Sequence, residues 1–152
     1  MPYSAYRVSP YDIAFARGLG SVVPIEDFEN HAEDLLALTG GSEGWPAKLF
    51  LEENEEEAQQ AFQKLATVFK DRLYCEISRT GLAEEVQTEP FLLKMALEHH
   101  VPLVATNPIY FKDKSLHEAH TILLSIADGT YVTDPTRRMV SPECYFKSVD
   151  EM

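Results

Sequence analysis

Three short apolar runs, at residues 35–38, 73–77 and 103–105, are separated by stretches whose apolar residues recur at helical spacing. This alternation constrains the fold more than any other feature. Short strands joined by helices instead of tight turns pair in parallel, with right-handed crossovers. Between the first two runs, Ala58, Ala61, Phe62, Leu65 and Phe69 mark one face of an amphipathic helix that packs one side on a sheet. A helix over residues 90–99 is expected to bury Phe91, Leu92 and Met95 before the third strand. Beyond that strand, Ser115 and Glu118 read as a capping box for a helix carrying Ala119, Ile122, Leu123 and Ile126 on one face and ending at Gly129. Ahead of all these, Ser9-Pro10 starts a short helix that stops at Gly18. The fold class is α/β, built from βα units, with no internal repeat or low-complexity linker.

The third run is the place to look for chemistry. Residues 102–111, Pro-Leu-Val-Ala-Thr-Asn-Pro-Ile-Tyr-Phe, read as a buried strand running straight into a loop. In βα folds such strand ends carry the functional side chains. Charge limits what they bind. The net charge of −12 argues against direct contact with nucleic acid, because phosphate binding relies on Lys and Arg displacing counterions. No apolar run approaches the roughly 18 residues of a membrane span, and no basic, then apolar leader opens the chain, so a cytoplasmic location is expected. Cys75 and Cys144 make no disulfide framework and read as reduced packing residues.

Other chemistry-bearing residues have plainer readings. The acidic run from Glu52 to Glu57 opens a helix, with Asn54 as cap and Glu57 completing a capping box. His117 and His120 share a helix face with Glu118 beside them. Their His-Glu-Ala-His order is one residue short of the zinc motif His-Glu-x-x-His, so packing is favoured. His99-His100 ends a helix, where imidazolium suits the dipole. Glu76 and Arg79 lie near the carboxyl end of the second strand and are candidate cleft-lining residues, although they point to opposite faces if the strand is regular. Cys75 lacks the glycine elbow or helix start that would activate a thiol.

The 102–111 segment resembles the strand-loop motif of the PHP (polymerase and histidinol phosphatase) domain found in the alpha subunits of bacterial DNA polymerase III. In members with a working metal centre, the loop after Val-Ala-Thr-Asn carries an aspartate and, two residues later, a histidine. Pro108 and Tyr110 stand in those places here. The segment from His31 to Gly41 is similar to the family's strand-turn, where a cysteine ligand is replaced by Gly41. Matches continue at residues 71–81, 118–129 and 145–152, in family order, whereas residues 1–30 match poorly. No His-x-His, the family's opening metal motif, occurs.

The resemblance implies that residues 31–152 form the C-terminal half of a PHP domain, the latter part of a distorted βα barrel that is incomplete as given, behind a lead-in at 1–30. It implies a fragment of the replicative polymerase that is itself inactive, with no catalytic, cofactor or metal residues. Its role would be structural, docking the proofreading exonuclease subunit and other holoenzyme subunits, while magnesium serves the parent polymerase. The alternatives are an active metal-dependent PHP phosphoesterase or exonuclease, and part of an error-prone alpha-subunit paralogue.

Overall fold

The alternation of strand and helix is realised as a small parallel sheet covered by helices. The computed structural model describes residues 32–152, together with two short antiparallel strands, β1 (Ala5–Tyr6) and β2 (Val23–Pro24). The expected helix at residues 9–18 and His31 lie outside the described residues. There follow β3 (Ala37–Leu38), α1 (Trp45–Leu51), α2 (Glu55–Phe69), β4 (Leu73–Ser78), α3 (Ala83–Glu98), β5 (Leu103–Thr106) and α4 (His117–Asp128). β4 is central, parallel to β3 and β5, with Ala37 opposite Leu73 and Cys75 opposite Leu103.

Period-two alternation gives this sheet two chemically different faces. Leu73 and Cys75 point into the core, where they meet Ala58 and Phe62 of α2 and Phe91, Leu92, Met95 and Ala96 of α3. Phe50 of α1 stacks on Phe91 with ring centroids 4.6 Å apart. The opposite face of β4 carries Tyr74, Glu76 and Ser78, and β5 continues it with Val104 and Thr106 through the parallel register.

Several boundaries differ from the sequence expectation, each for a local reason. α3 begins at Ala83, a full two turns before residue 90. Its start is set by Glu85, whose carboxylate accepts from the backbone N–H groups of Thr80, Gly81 and Leu82 and from the Thr80 hydroxyl. Pro90 then sits inside the helix on its exposed side, where the Val86 residue whose carbonyl loses its N–H partner faces solvent. The first strand shrinks to two residues. The chain before it is a turn whose carbonyls, at Ala32, Glu33 and Leu35, are all held by the Arg72 guanidinium.

α1 was not foreseen. It is entered through Gly44, where a Cβ would lie 1.8 Å from the Thr39 carbonyl oxygen, so only glycine permits the close approach. Asn54 occupies the cap of α2 without a side-chain bond, and Glu55 and Glu56 instead accept from Gln59 and Gln60. Asp113 caps the 3-10 turn Lys114–Leu116 that leads into α4, accepting from the Ser115 N–H at 3.1 Å, and α4 itself starts without the side-chain cap expected from Ser115. Gly129 ends α4 in the left-handed conformation, as expected.

The largest departure is the orientation of α4. Ile122, Leu123 and Ile126 are 39, 62 and 70% exposed, while Thr121 and Ser125 are buried and donate to the carbonyls of His117 and Thr121. The apolar face therefore looks outward.

Candidate functional site

The carboxyl end of the sheet is assembled from short side chains that satisfy one another. Gly41, buried just beyond β3, lies against the end of β4: a Cβ built on it would sit 4.0 Å from the Ser78 hydroxyl oxygen. Ser78 in turn shares a 2.9 Å hydrogen bond with the Thr106 hydroxyl on β5. On the β3 side, the Thr39 hydroxyl accepts from the Glu76 N–H at 2.9 Å. Asn107 follows Thr106 and donates to the Tyr145 carbonyl at 2.7 Å, tying the β5 loop to the chain's last segment. Pro108 is exposed, and Tyr110, 56% exposed, lays its ring 5.7 Å from that of His120.

A divalent ion needs several oxygen, nitrogen or thiolate donors converging with room for the ion. This end of the sheet does not fit one. Gly41 and Pro108 offer no side-chain donor, Tyr110 lays its ring beside the His120 imidazole, and Ser78 and Thr106 are engaged with each other. No group of three His, Cys, Asp or Glu side chains converges among the described residues. The crevice beside Gly41 and Glu76, at about 10 Å³, has room for at most one water.

The two cleft candidates are separated, as alternation implies. Glu76 lines the crevice with Gly41. Arg79 lies on the rim of a larger cleft of about 390 Å³, bounded by α3, β5 and residues 147–152. There it makes a two-pronged pair with Glu89, at 2.7 and 3.1 Å, which holds the Glu89 carboxyl below its usual pKa. With the Arg79 side chain 77% exposed, this pair adds little to stability. Lys147, absent from the sequence reading, also lines the cleft, beside Glu151. The sequence signal of this wall is the Ser148-x-x-Glu151 pattern, which reads as the start of a capped helix and is realised as a capped turn. The Glu151 carboxylate accepts from the Ser148 N–H and hydroxyl and from the Tyr145 phenol, and its pKa falls to about 2. The hydroxyl row of Thr39, Ser78 and Thr106 was likewise missed. Its signal was the polar half of the alternation in β4 and β5.

Three of the described histidines pack against carbonyls or rings. His117 Nε2 lies 2.9 Å from the Val140 carbonyl, and Phe111 is wedged between the rings of His117 and His120. His99 closes α3 and packs 5.7 Å from Phe62. Burial pushes the thiol pKa of Cys75 up, the reverse of what a nucleophile requires, and does the same for Cys144. No helix among the described residues is long and apolar enough to cross a membrane.

Residues 9–80 match the family model of the PHP domain. The chain is 42% identical over 131 residues to the DNA polymerase III subunit alpha of Caulobacter vibrioides, covering 86% of this chain and 12% of the relative. It is 42% identical over 130 residues to that of Rickettsia bellii, covering 86% and 11%. Against that of Vibrio cholerae the identity is 35% over 143 residues, covering 91% and 12%. The chain thus spans about an eighth or less of the length of these relatives.

Proposed function

From a chain that carries a PHP domain match and is related along most of its length to DNA polymerase III alpha subunits, we propose that these residues supply such a subunit with a degenerate, metal-free PHP region. Its strands contribute to a distorted βα barrel of the PHP type, running from residue 31 to residue 152 behind a lead-in at 1–30 that the family match enters from residue 9. Its work is structural: it steadies the polymerase and offers a docking surface to the proofreading exonuclease subunit and to the other holoenzyme subunits. Synthesis of DNA, with the magnesium it uses, resides outside these 152 residues, as does contact with DNA. The protein works in the cytoplasm, in the replicative polymerase.

The observation that carries this reading is the donor set at the carboxyl end of the sheet. Gly41, Pro108 and Tyr110 stand where the resemblance implies cysteine, aspartate and histidine, and the hydroxyls nearby are already paired. An active PHP phosphoesterase would need those donors.

Metal analysis after dialysis against zinc or manganese tests the degenerate site. Less than a tenth of an ion per chain is expected, and the triple replacement Gly41→Cys, Pro108→Asp, Tyr110→His should raise uptake. One tightly held ion per unmodified chain, lost on His117→Ala or His120→Ala, would refute it. Docking is tested by titrating the purified chain with the exonuclease subunit and measuring binding by calorimetry. Absence of binding, where the complete alpha subunit binds, would place the docking surface elsewhere.

A further inference from the structure

The consecutive residues from Leu103 to Asn107 all line the cleft of about 390 Å³ between α3 and residues 147–152. Side chains of a strand alternate between its faces, so a cleft touched by every residue in turn runs along the edge of β5. The backbone at that edge is open. The Cys75 N–H donates to the Pro102 carbonyl at 2.8 Å, with Cys75 opposite Leu103, so Pro102, Val104 and Thr106 turn their peptide groups to β4 in this parallel ladder. Leu103 and Ala105 turn theirs the other way, where no strand among the described residues pairs with them.

The charged side chains of the cleft are not equivalent. The Arg79 guanidinium and the Glu89 carboxylate are engaged with each other, and both Glu151 oxygens accept, from Ser148 and from Tyr145. Lys147 differs. Its side chain is 10% exposed, yet among the described residues its ammonium meets only the Glu143 carboxylate at 3.4 Å and the Tyr145 ring centroid at 5.6 Å. That ion pair is longer than the roughly 2.7–3.2 Å of a good hydrogen bond, and Lys114 already holds the same carboxylate. A nearly buried ammonium short of acceptors is satisfied by a carboxylate. Because Asn107 holds the Tyr145 carbonyl, Lys147 stands by the carboxyl end of β5.

We propose that this cleft takes the carboxyl-terminal segment of a partner protein as a further strand, parallel to β5, with the terminal carboxylate on Lys147. The free peptide groups of Leu103 and Ala105 bond the segment's backbone, while Leu93, Leu103 and Met152 cover its apolar side chains. Only a segment running the same way as β5 brings its carboxylate to that end. The net charge of −12 favours a segment that is basic ahead of its last residues. This goes beyond the proposed function and does not rest on it.

The test titrates the 152-residue chain by calorimetry with acetyl-Lys-Lys-Thr-Val-Thr-Val bearing a free carboxylate, and with its carboxyl-terminal amide. Saturable one-to-one binding of the acid is expected. The amide should bind at least about tenfold more weakly, although it is the more cationic and the chain attracts it more. Lys147→Met keeps the apolar stem and removes the charge; with its fold checked by circular dichroism, it should lower the acid to the amide's affinity and leave the amide unchanged. N-methyl groups on one alternate set of peptide nitrogens should abolish binding, and those on the other set should be tolerated. If Lys147→Met unfolds, the peptide arms, which need no variant, decide. No saturable binding up to about 1 mM overturns the proposal. So do equal affinities for acid and amide, a Lys147→Met effect shared by both peptides, and the same response to both methylation sets.

Discussion

Replacing Glu85 by alanine removes the acceptor for four hydrogen bonds at the start of α3. Its oxygens accept from the Thr80 N–H at 2.7 Å, the Thr80 hydroxyl at 2.8 Å, the Gly81 N–H at 3.0 Å and the Leu82 N–H at 3.2 Å. Glu85 is 8% exposed and Thr80 only 2%, so both Thr80 donors lose their partner away from water, at about 1–3 kcal/mol each. Gly81 and Leu82 are exposed, so water replaces the carboxylate there and their loss adds a few tenths. Alanine's better helix propensity returns at most about 0.4 kcal/mol. The sum is about 2–6 kcal/mol. The subtler perturbation is Glu85→Gln. Its oxygen can face the three N–H groups while its amide donates to the Thr80 hydroxyl, which rotates to accept. All four contacts survive in neutral form, and the loss should be about 1 kcal/mol. Urea unfolding, followed through the single tryptophan, Trp45, and by circular dichroism, gives both values. If alanine costs less than about 1 kcal/mol, or glutamine as much as alanine, the carboxylate is not what organises this helix start.

Phe62→Ala, at a fully buried ring in the centre of the core, should cost about 3–5 kcal/mol in the same assay. Gly44→Ala should prevent α1 from docking, because the added carbon meets the Thr39 carbonyl at 1.8 Å. Gly41→Ala, whose nearest neighbour is at 3.9 Å and whose φ is +54°, should cost only about 1–2 kcal/mol of backbone strain, and thermal unfolding of the pair separates the two causes. The Glu151 carboxyl should titrate near pH 2 in an NMR series, against 4.5 for a free glutamate. Its pKa is lowered in the fold, so the capped C-terminal turn it supports is fully favoured above 4.5 and loses that support as pH falls through about 2. A midpoint near 4.5 would mean that the Ser148 and Tyr145 bonds do not persist in solution.

The arrangement of β4, α3 and β5, and the covering of one sheet face by α2 and α3, were legible in the sequence because they depend on near neighbours. Apolar residues at strand spacing or helical spacing declare which side chains share a face, and the separation of Glu76 from Arg79 follows from the same alternation. Gly41, Pro108 and Tyr110 could likewise be placed at a strand end from the motif around them. What a face meets is another matter. The periodicity of α4 is the same whether Ile122 and Ile126 point inward or outward. The outcome is set by Phe111 between His117 and His120 and by the bonds from residues 110 and 111 to 144–146, partners more than thirty residues apart. Helix starts divided the same way. Glu85 could cap α3 only once Thr80 and Gly81 had turned back over it, and Pro90, the stronger local signal, became an exposed interior residue. Local chemistry fixed the elements and their polarity, whereas the direction in which each face turned was decided by contacts distant in the chain, which no local spacing encodes.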